Sequence, residues 1–238
     1  MTRDKNRERR NNTMDNAAMS IMSNEGDNES TVKTPSPKKK FGQKQSAKGR
    51  RILESKMKLA NDPNAIVFVP HTREGHILQK ILYRYDKALN VVRRRAGYSL
   101  DFDQVNLIMA DALEASNQIE RAVRLLSEFN PGTTPVHHLP QIFESPDQRR
   151  AMAQSYNSYV FIPRTNESRK LIQQIIRIDA QLVHCRTTCT EFVRFAEVYS
   201  EVAKAIVNFN NRTEAISKLA GLPYEPPEGI TSIANRAL

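Results

Sequence analysis

Two stretches decide the fold: VFVPHT, Val67 to Thr72, and VFIPRT, Val160 to Thr165. Each opens on a β-branched and aromatic run flanked by turn formers, which predicts a short strand. Pro70 and Pro163 stop the strands, because proline has no N–H to give to a ladder. Thr72 and Thr165 follow as N-caps, residues whose hydroxyl accepts from the first unpaired amides of a helix. After Arg73 the apolar period lengthens to three or four: Leu78, Ile81, Leu82, Tyr85, Leu89 and Val92 share one face. Leu171, Ile175, Ile178, Leu182 and Cys185 do the same in the second copy.

Laid without gaps on Val160–Leu182, Val67–Leu89 matches at nine of 23 positions: Val67/Val160, Phe68/Phe161, Pro70/Pro163, Thr72/Thr165, Glu74/Glu167, Leu78/Leu171, Arg84/Arg177, Asp86/Asp179 and Leu89/Leu182. Such agreement marks a duplicated strand–helix–helix unit. A lone short strand has an unpaired edge and is not stable by itself. The two equivalent strands are therefore expected to pair antiparallel about a pseudo-two-fold, with four helices on one face. The expected fold is mainly α with a short two-stranded ribbon, an internal pseudo-dimer of ribbon-helix-helix-like shape. Phe68, Phe161, Leu78 and Leu171 read as core, and the Arg84/Asp86 and Arg177/Asp179 pairs as salt bridges or surface pairs.

Working outward, residues 1–58 are polar and charged and read as a disordered basic arm, with a short helix from about Arg50 to Leu59. Residues 59–130 hold the first unit. Gly97 closes its first helix, and Asp101 with Gln104 opens a second, striped by Val105, Ile108, Ala112, Ala115, Ile119, Ala122 and Leu126. Residues 131–157 are a connector broken by Pro131, Pro135, Pro140 and Pro146, with one short helix from Ser145. Residues 158–224 hold the second unit, with a helix from about Glu191 to Ile206 and a last short one from about Arg212 to Ala220. Residues 225–238, with Pro226 and Pro227, read as a loosely held tail.

Charge is placed unevenly. Residues 33–58 carry ten Lys or Arg against Glu54 alone, a net +9 out of +10 for the chain. A polar cationic segment beside a folded part is usually an arm for a polyanion, most often nucleic acid. A mean hydropathy of −0.58, no apolar leader and no long apolar run point to a soluble, cytoplasmic protein. Cys185 and Cys189 sit four apart on a predicted helix, a poor geometry for a disulfide.

Catalytic patterns are missing from the sequence. His71, His76, His137, His138 and His184 make no HExxH, the cysteines make no CxxC, and there is no glycine-rich phosphate loop or GxSxG. The expectation is a non-enzymatic chain without cofactor or metal. Nucleic acid fits better: in a ribbon-helix-helix unit the ribbon enters the major groove and helix N-termini grip phosphates. Basic residues flank both strand ends, His71 and Arg73 in one unit and Arg164 and Arg169 in the other. Arg93, Arg94 and Arg95 form a further patch, with the alternative of a solvated helix end favoured by the dipole. Two features oppose the analogy. The strands are apolar on both faces, as strands buried on both sides are, and the helices are longer than such units use.

The stretches VFVPHTRE, YVFIPRTNESRKL and RIDAQLV also resemble the AcaB-type regulators of IncA/C conjugative plasmids and of integrative and conjugative elements. The similarity covers roughly residues 65–220. It implies a ribbon-helix-helix-like, DNA-binding activator of conjugative-transfer genes, and it points to His71, Arg73 and Arg164 beside the strands.

The functional expectation is therefore a DNA-binding transcriptional regulator, an activator. The arm residues Lys38, Lys39, Lys40, Lys44, Lys48, Arg50 and Arg51 supply sequence-independent affinity, and the groups at the strand ends supply register. Expected partners are double-stranded DNA, other transfer regulators or RNA polymerase, and a second copy of the chain, with no membrane. The rival is a helical scaffold or adaptor whose arm binds nucleic acid or anionic surfaces non-specifically.

Overall fold

A computed structural model describes residues 47–97, 101–129, 145–188 and 192–237. Their elements run α1 (Ala47–Ala60), β1 (Ile66–Phe68), α2 (Arg73–Ala96), α3 (Phe102–Glu128), α4 (Pro146–Ala153), β2 (Tyr159–Phe161), α5 (Asn166–Thr188), α6 (Phe192–Leu219) and α7 (Ile230–Ala234). The chain is mainly helical with one two-stranded sheet. The arm lysines Lys38, Lys39, Lys40 and Lys44, most of the connector with His137 and His138, and Cys189 lie outside the described residues.

The strands pair antiparallel, with Ile66 opposite Phe161, Val67 opposite Val160 and Phe68 opposite Tyr159. Val67 and Val160 hold the same place in the repeat, so the register is centred on the repeat itself. The duplication also reaches further upstream than the sequence reading placed it. α1 and α4 precede their strands by the same interval, and the turns between carry matching hydrogen bonds. Asp62 N donates to Leu59 O and Ala65 N to Asp62 O, as Ser155 N does to Met152 O and Ser158 N to Ser155 O. The unit is helix–strand–helix–helix.

Helix ends follow local chemistry. Thr72 caps α2 by accepting from Gly75 N, Asp101 caps α3 by accepting from Gln104 N, and Ser145 with Gln148 completes a capping box on α4. Gly97 ends α2 in right-handed rather than left-handed conformation, so its freedom is not used there. The break expected before Arg212 is not seen: α6 runs unbroken to Leu219. Phe209, Asn210 and Thr213 are buried, and Asn210 accepts from the Tyr224 hydroxyl at 2.6 Å, so packing overrides the poor helix propensity of the asparagines.

Packing interleaves the two units. α2 and α3 each lie against both α5 and α6 and touch one another only slightly. α1 packs on β2, and α4 on β1. Burial therefore comes almost wholly from the other half.

Here the ribbon-helix-helix expectation is corrected. The inner ribbon face, Ile66, Phe68 and Phe161, joins the four-helix core, while Val67 and Val160 on the outer face pack with Met57, Ala60, Met152 and Ala153 of α1 and α4. A ribbon with helices on both faces cannot enter a DNA groove. The apolar pattern on both sides of each strand is the physical reason, since each face needs an apolar partner.

The tail differs from its expected looseness as well. Ile233 is buried in the core, Tyr224 binds Asn210, and Arg84 donates to Glu225 O. Residues 220–236 run along α2 as a strap.

Candidate nucleic-acid interface

The conserved-looking acids of the repeat turn inward. Asp179, in the middle of α5, accepts from His71 N at 2.9 Å, Thr72 N at 2.8 Å and Thr72 Oγ1 at 2.5 Å, at the start of α2. Asp86, in the middle of α2, accepts from Arg164 N at 3.0 Å, Thr165 N at 3.2 Å and Thr165 Oγ1 at 3.2 Å, at the start of α5. Each unit thus caps the other's first long helix with a buried carboxylate, where the unpaired amides and the dipole favour negative charge.

A second reciprocal pair lies one step further along. Arg186 holds Glu74 through its two terminal guanidinium nitrogens, at 2.8 and 3.1 Å, and Tyr199 donates to the same carboxylate at 2.6 Å. At the matching positions Arg93 holds Glu167 at 2.7 Å. Burial pushes the Glu74 carboxyl up, and the Arg186 and Tyr199 hydrogen bonds outweigh it, leaving it below the ordinary range. Glu167 is held down in the same way by Arg93 against its own burial. Burial, with the Glu74 hydrogen bond, pushes Tyr199 up to about 12. These contacts place α2 and α5 side by side and antiparallel.

Two consequences bear on the expected interface. The helix N-termini proposed as phosphate sites are already filled by the protein's own carboxylates. Arg93 is committed to Glu167 and also lies 3.1 Å from Met109 Sδ.

The remaining sequence-predicted residues are dispersed. Lys48, Arg50 and Arg51 lie on the first turns of α1, with Arg50 and Arg51 exposed. His71 and Arg164 are exposed at opposite ends of the ribbon, their backbones held by Asp179 and Asp86. Arg73 crosses Gly229 and reaches Ser232 Oγ at 3.4 Å, and Arg95 donates to Ala220 O at 2.9 Å. Gly229 has a φ of 91°, in the left-handed region that L side chains rarely adopt, and this favours glycine there. Arg73, Arg84 and Arg95, spaced by eleven residues, form one row that clamps the strap. Arg94 and Arg169 are exposed.

Sequence reading missed Lys80 and Lys87. They are exposed on α2 and stand in line with Arg94 at intervals of seven. The signal was present as a basic residue recurring every two turns with no acid on that face.

Among the described residues no group of three or more His, Cys, Asp or Glu is placed to hold a metal ion, and no helix is long and apolar enough to cross a membrane. No family model, curated protein or solved structure matches the chain.

Proposed function

We propose that the chain is a DNA-binding transcriptional regulator, and that its sequence resemblance to AcaB-type proteins reflects a role as activator of conjugative-transfer genes. The observation that carries the reading is the charge placement: nearly all of the excess positive charge lies in residues 33–58, and the end of that segment continues into α1 on the outer side of the ribbon. In this reading Lys38, Lys39, Lys40, Lys44, Lys48, Arg50 and Arg51 meet phosphates, and the exposed His71, Arg164 and Arg169 fix register at the ribbon ends. The two units act as the halves of an internal pseudo-dimer, a reading supported by the reciprocal Asp86 and Asp179 caps. Its approximate two-fold suits a DNA site with approximate dyad symmetry.

Equilibrium binding to duplex DNA at 50 and 200 mM salt tests the proposal. Seven phosphate contacts give a slope of about −6 in log affinity against log salt, so affinity should fall by roughly three to four orders of magnitude. Replacing Lys38, Lys39, Lys40 and Lys44 by Gln in the full chain should remove more than half of that slope. A flat salt response in the natural protein would sink the idea. The adaptor reading has its own observation, the exposed Phe102, Leu107 and Leu113 on α3 and Val193 on α6. It gains if footprinting around the protein's own gene cluster finds no protected sequence.

A further inference from the structure

We infer that the outer face of α2, through Lys80, Lys87 and Arg94 with Tyr83 beside them, lies along the sugar-phosphate backbone of duplex DNA. The inference rests on the DNA-binding reading and assigns it a surface on the folded unit, distinct from the arm.

Both acids of α2, Glu74 and Asp86, are buried, and each is bound to groups of the other unit or of α6. The exposed ionisable side chains of α2 other than Tyr83 are then all cations: Arg73, Lys80, Lys87, Arg94 and Arg95. Arg73 and Arg95 hold the strap. Lys80, Lys87 and Arg94 form the adjacent row. Seven residues advance a helix by about 10.5 Å and turn it back by only about 20°. The row is therefore nearly straight and spans about 21 Å. An ordinary exposed helix would pair such lysines with Glu or Asp three or four residues away, and α2 offers none on this side. The strap's Glu225 meets Arg84 through its backbone carbonyl, in the row next to Lys80.

The geometry selects among anions. A single phosphate or nucleotide needs donors that converge, and these cations are spread along a line. A duplex presents one negative charge per ~1.7 Å of axis, so ~21 Å of row faces a continuous wall of charge. A lipid surface is disfavoured, because an interfacial helix inserts apolar side chains, and those of α2 are committed to the core. Tyr83 is 54% exposed and carries a hydroxyl of the kind that meets phosphate or sugar oxygens.

The test uses the full chain carrying Lys80→Gln, Lys87→Gln and Arg94→Gln together, with binding to a random duplex and to a duplex from the protein's own gene cluster followed across salt. Three lost phosphate contacts should reduce the slope by about 2.7, equal to roughly a 40-fold smaller loss of affinity between 50 and 200 mM. Lys204→Gln with Lys218→Gln, each cation already paired with a neighbouring acid on α6, should leave the slope unchanged. The charge-keeping set Lys80→Arg, Lys87→Arg and Arg94→Lys should retain it, which guards against a folding defect in the Gln variant. An unchanged slope in the Gln variant, with natural binding steep, overturns this inference and leaves the arm-based reading standing. A natural protein that binds no duplex overturns both. Loss of binding to phosphatidylserine vesicles, with duplex binding intact, overturns it in favour of a lipid surface.

Discussion

Replacing Gly75 by alanine probes the interleaved caps at their tightest point. Gly75 is the third residue of α2, within the first turn capped by Thr72. A Cβ added there would stand 2.8 Å from Asp179 Cγ and closer still to Oδ1. Asp179 cannot retreat without stretching its hydrogen bonds to His71 N and Thr72. The second unit supplies an internal comparison. Ser168 stands where Gly75 does, and there the facing Asp86 makes its three bonds at 3.0 to 3.2 Å instead of 2.5 to 2.9 Å. A side chain at this position therefore sets the carboxylate back by a few tenths of an ångström. On helix propensity alone Gly→Ala should stabilise by ~0.5–1 kcal/mol. Overpacking costs about 1–3 kcal/mol, and the weakened charged hydrogen bonds add to it. A net loss of about 1–3 kcal/mol is expected, a fall in Tm of roughly 3–10 °C for a unit of this size. Thermal unfolding followed by circular dichroism measures it. In an Asp179→Ala background the same substitution should cost much less, with a coupling of about 1–2 kcal/mol. A Gly75→Ala protein as stable as the natural one, or more so, would refute the account of the caps.

Three further outcomes follow from the same contacts. Glu74 has a folded pKa below its ordinary value of 4.5, so the stability it lends is complete above about that pH and is lost as pH falls through the depressed value; the gap in urea midpoint between the natural protein and Glu74→Gln should be wide at pH 7 and narrow by pH 3. Because the helices of each unit pack on the other unit, fragments 45–129 and 145–238 should each show little helix by circular dichroism and recover it when mixed. Ile233→Ala, which empties a buried site beneath the strap, should cost about 2–4 kcal/mol and expose residues 222–237 to limited proteolysis.

The strand pairing was legible because the repeat left only one economical partner for each strand, and the register then followed from the equivalence of Val67 and Val160. The burial of the ribbon was legible too, from its lack of a polar face, although the ribbon-helix-helix analogy obscured it. What was hard to see was where the covering layer came from. The upstream match that announces α1 and α4 rests on Ala60/Ala153, Asn64/Asn157 and a basic pair, Lys56/Arg149, all in segments with weak apolar period. The identities at Asp86 and Asp179 were visible but read as salt bridges or surface pairs with Arg84 and Arg177. Residues two apart on a helix point in different directions. An acid on the apolar face in both copies signals a partner in the other copy, and the free amides after the strand supply one. Glu74 and Glu167 stood within the aligned window, but their partners Arg186 and Arg93 lay just past it, so an arginine that serves packing was read as one that serves a ligand.

This segregation of charge also explains why counting charges along the folded part says little about what it attracts. Residues 59–238 hold 21 basic and 19 acidic side chains, nearly a balance. Yet Asp86 and Asp179 are compensated by backbone amides and hydroxyls, a role that uses up no Lys or Arg on the surface. Those cations remain outside with no acid in their own row. A helix is about 10–12 Å across with its side chains, and at physiological salt a charge is felt over about 8 Å. An anion approaching α2 from solvent therefore meets Lys80, Lys87 and Arg94 at contact range, while Asp86 acts from behind the helix through a screening length or more. The local field is cationic even where the local sum is small. The cap on the partner's helix and the basic row are linked in this way, because Asp86 is turned inward to that cap and leaves the outer face of α2 without an acid.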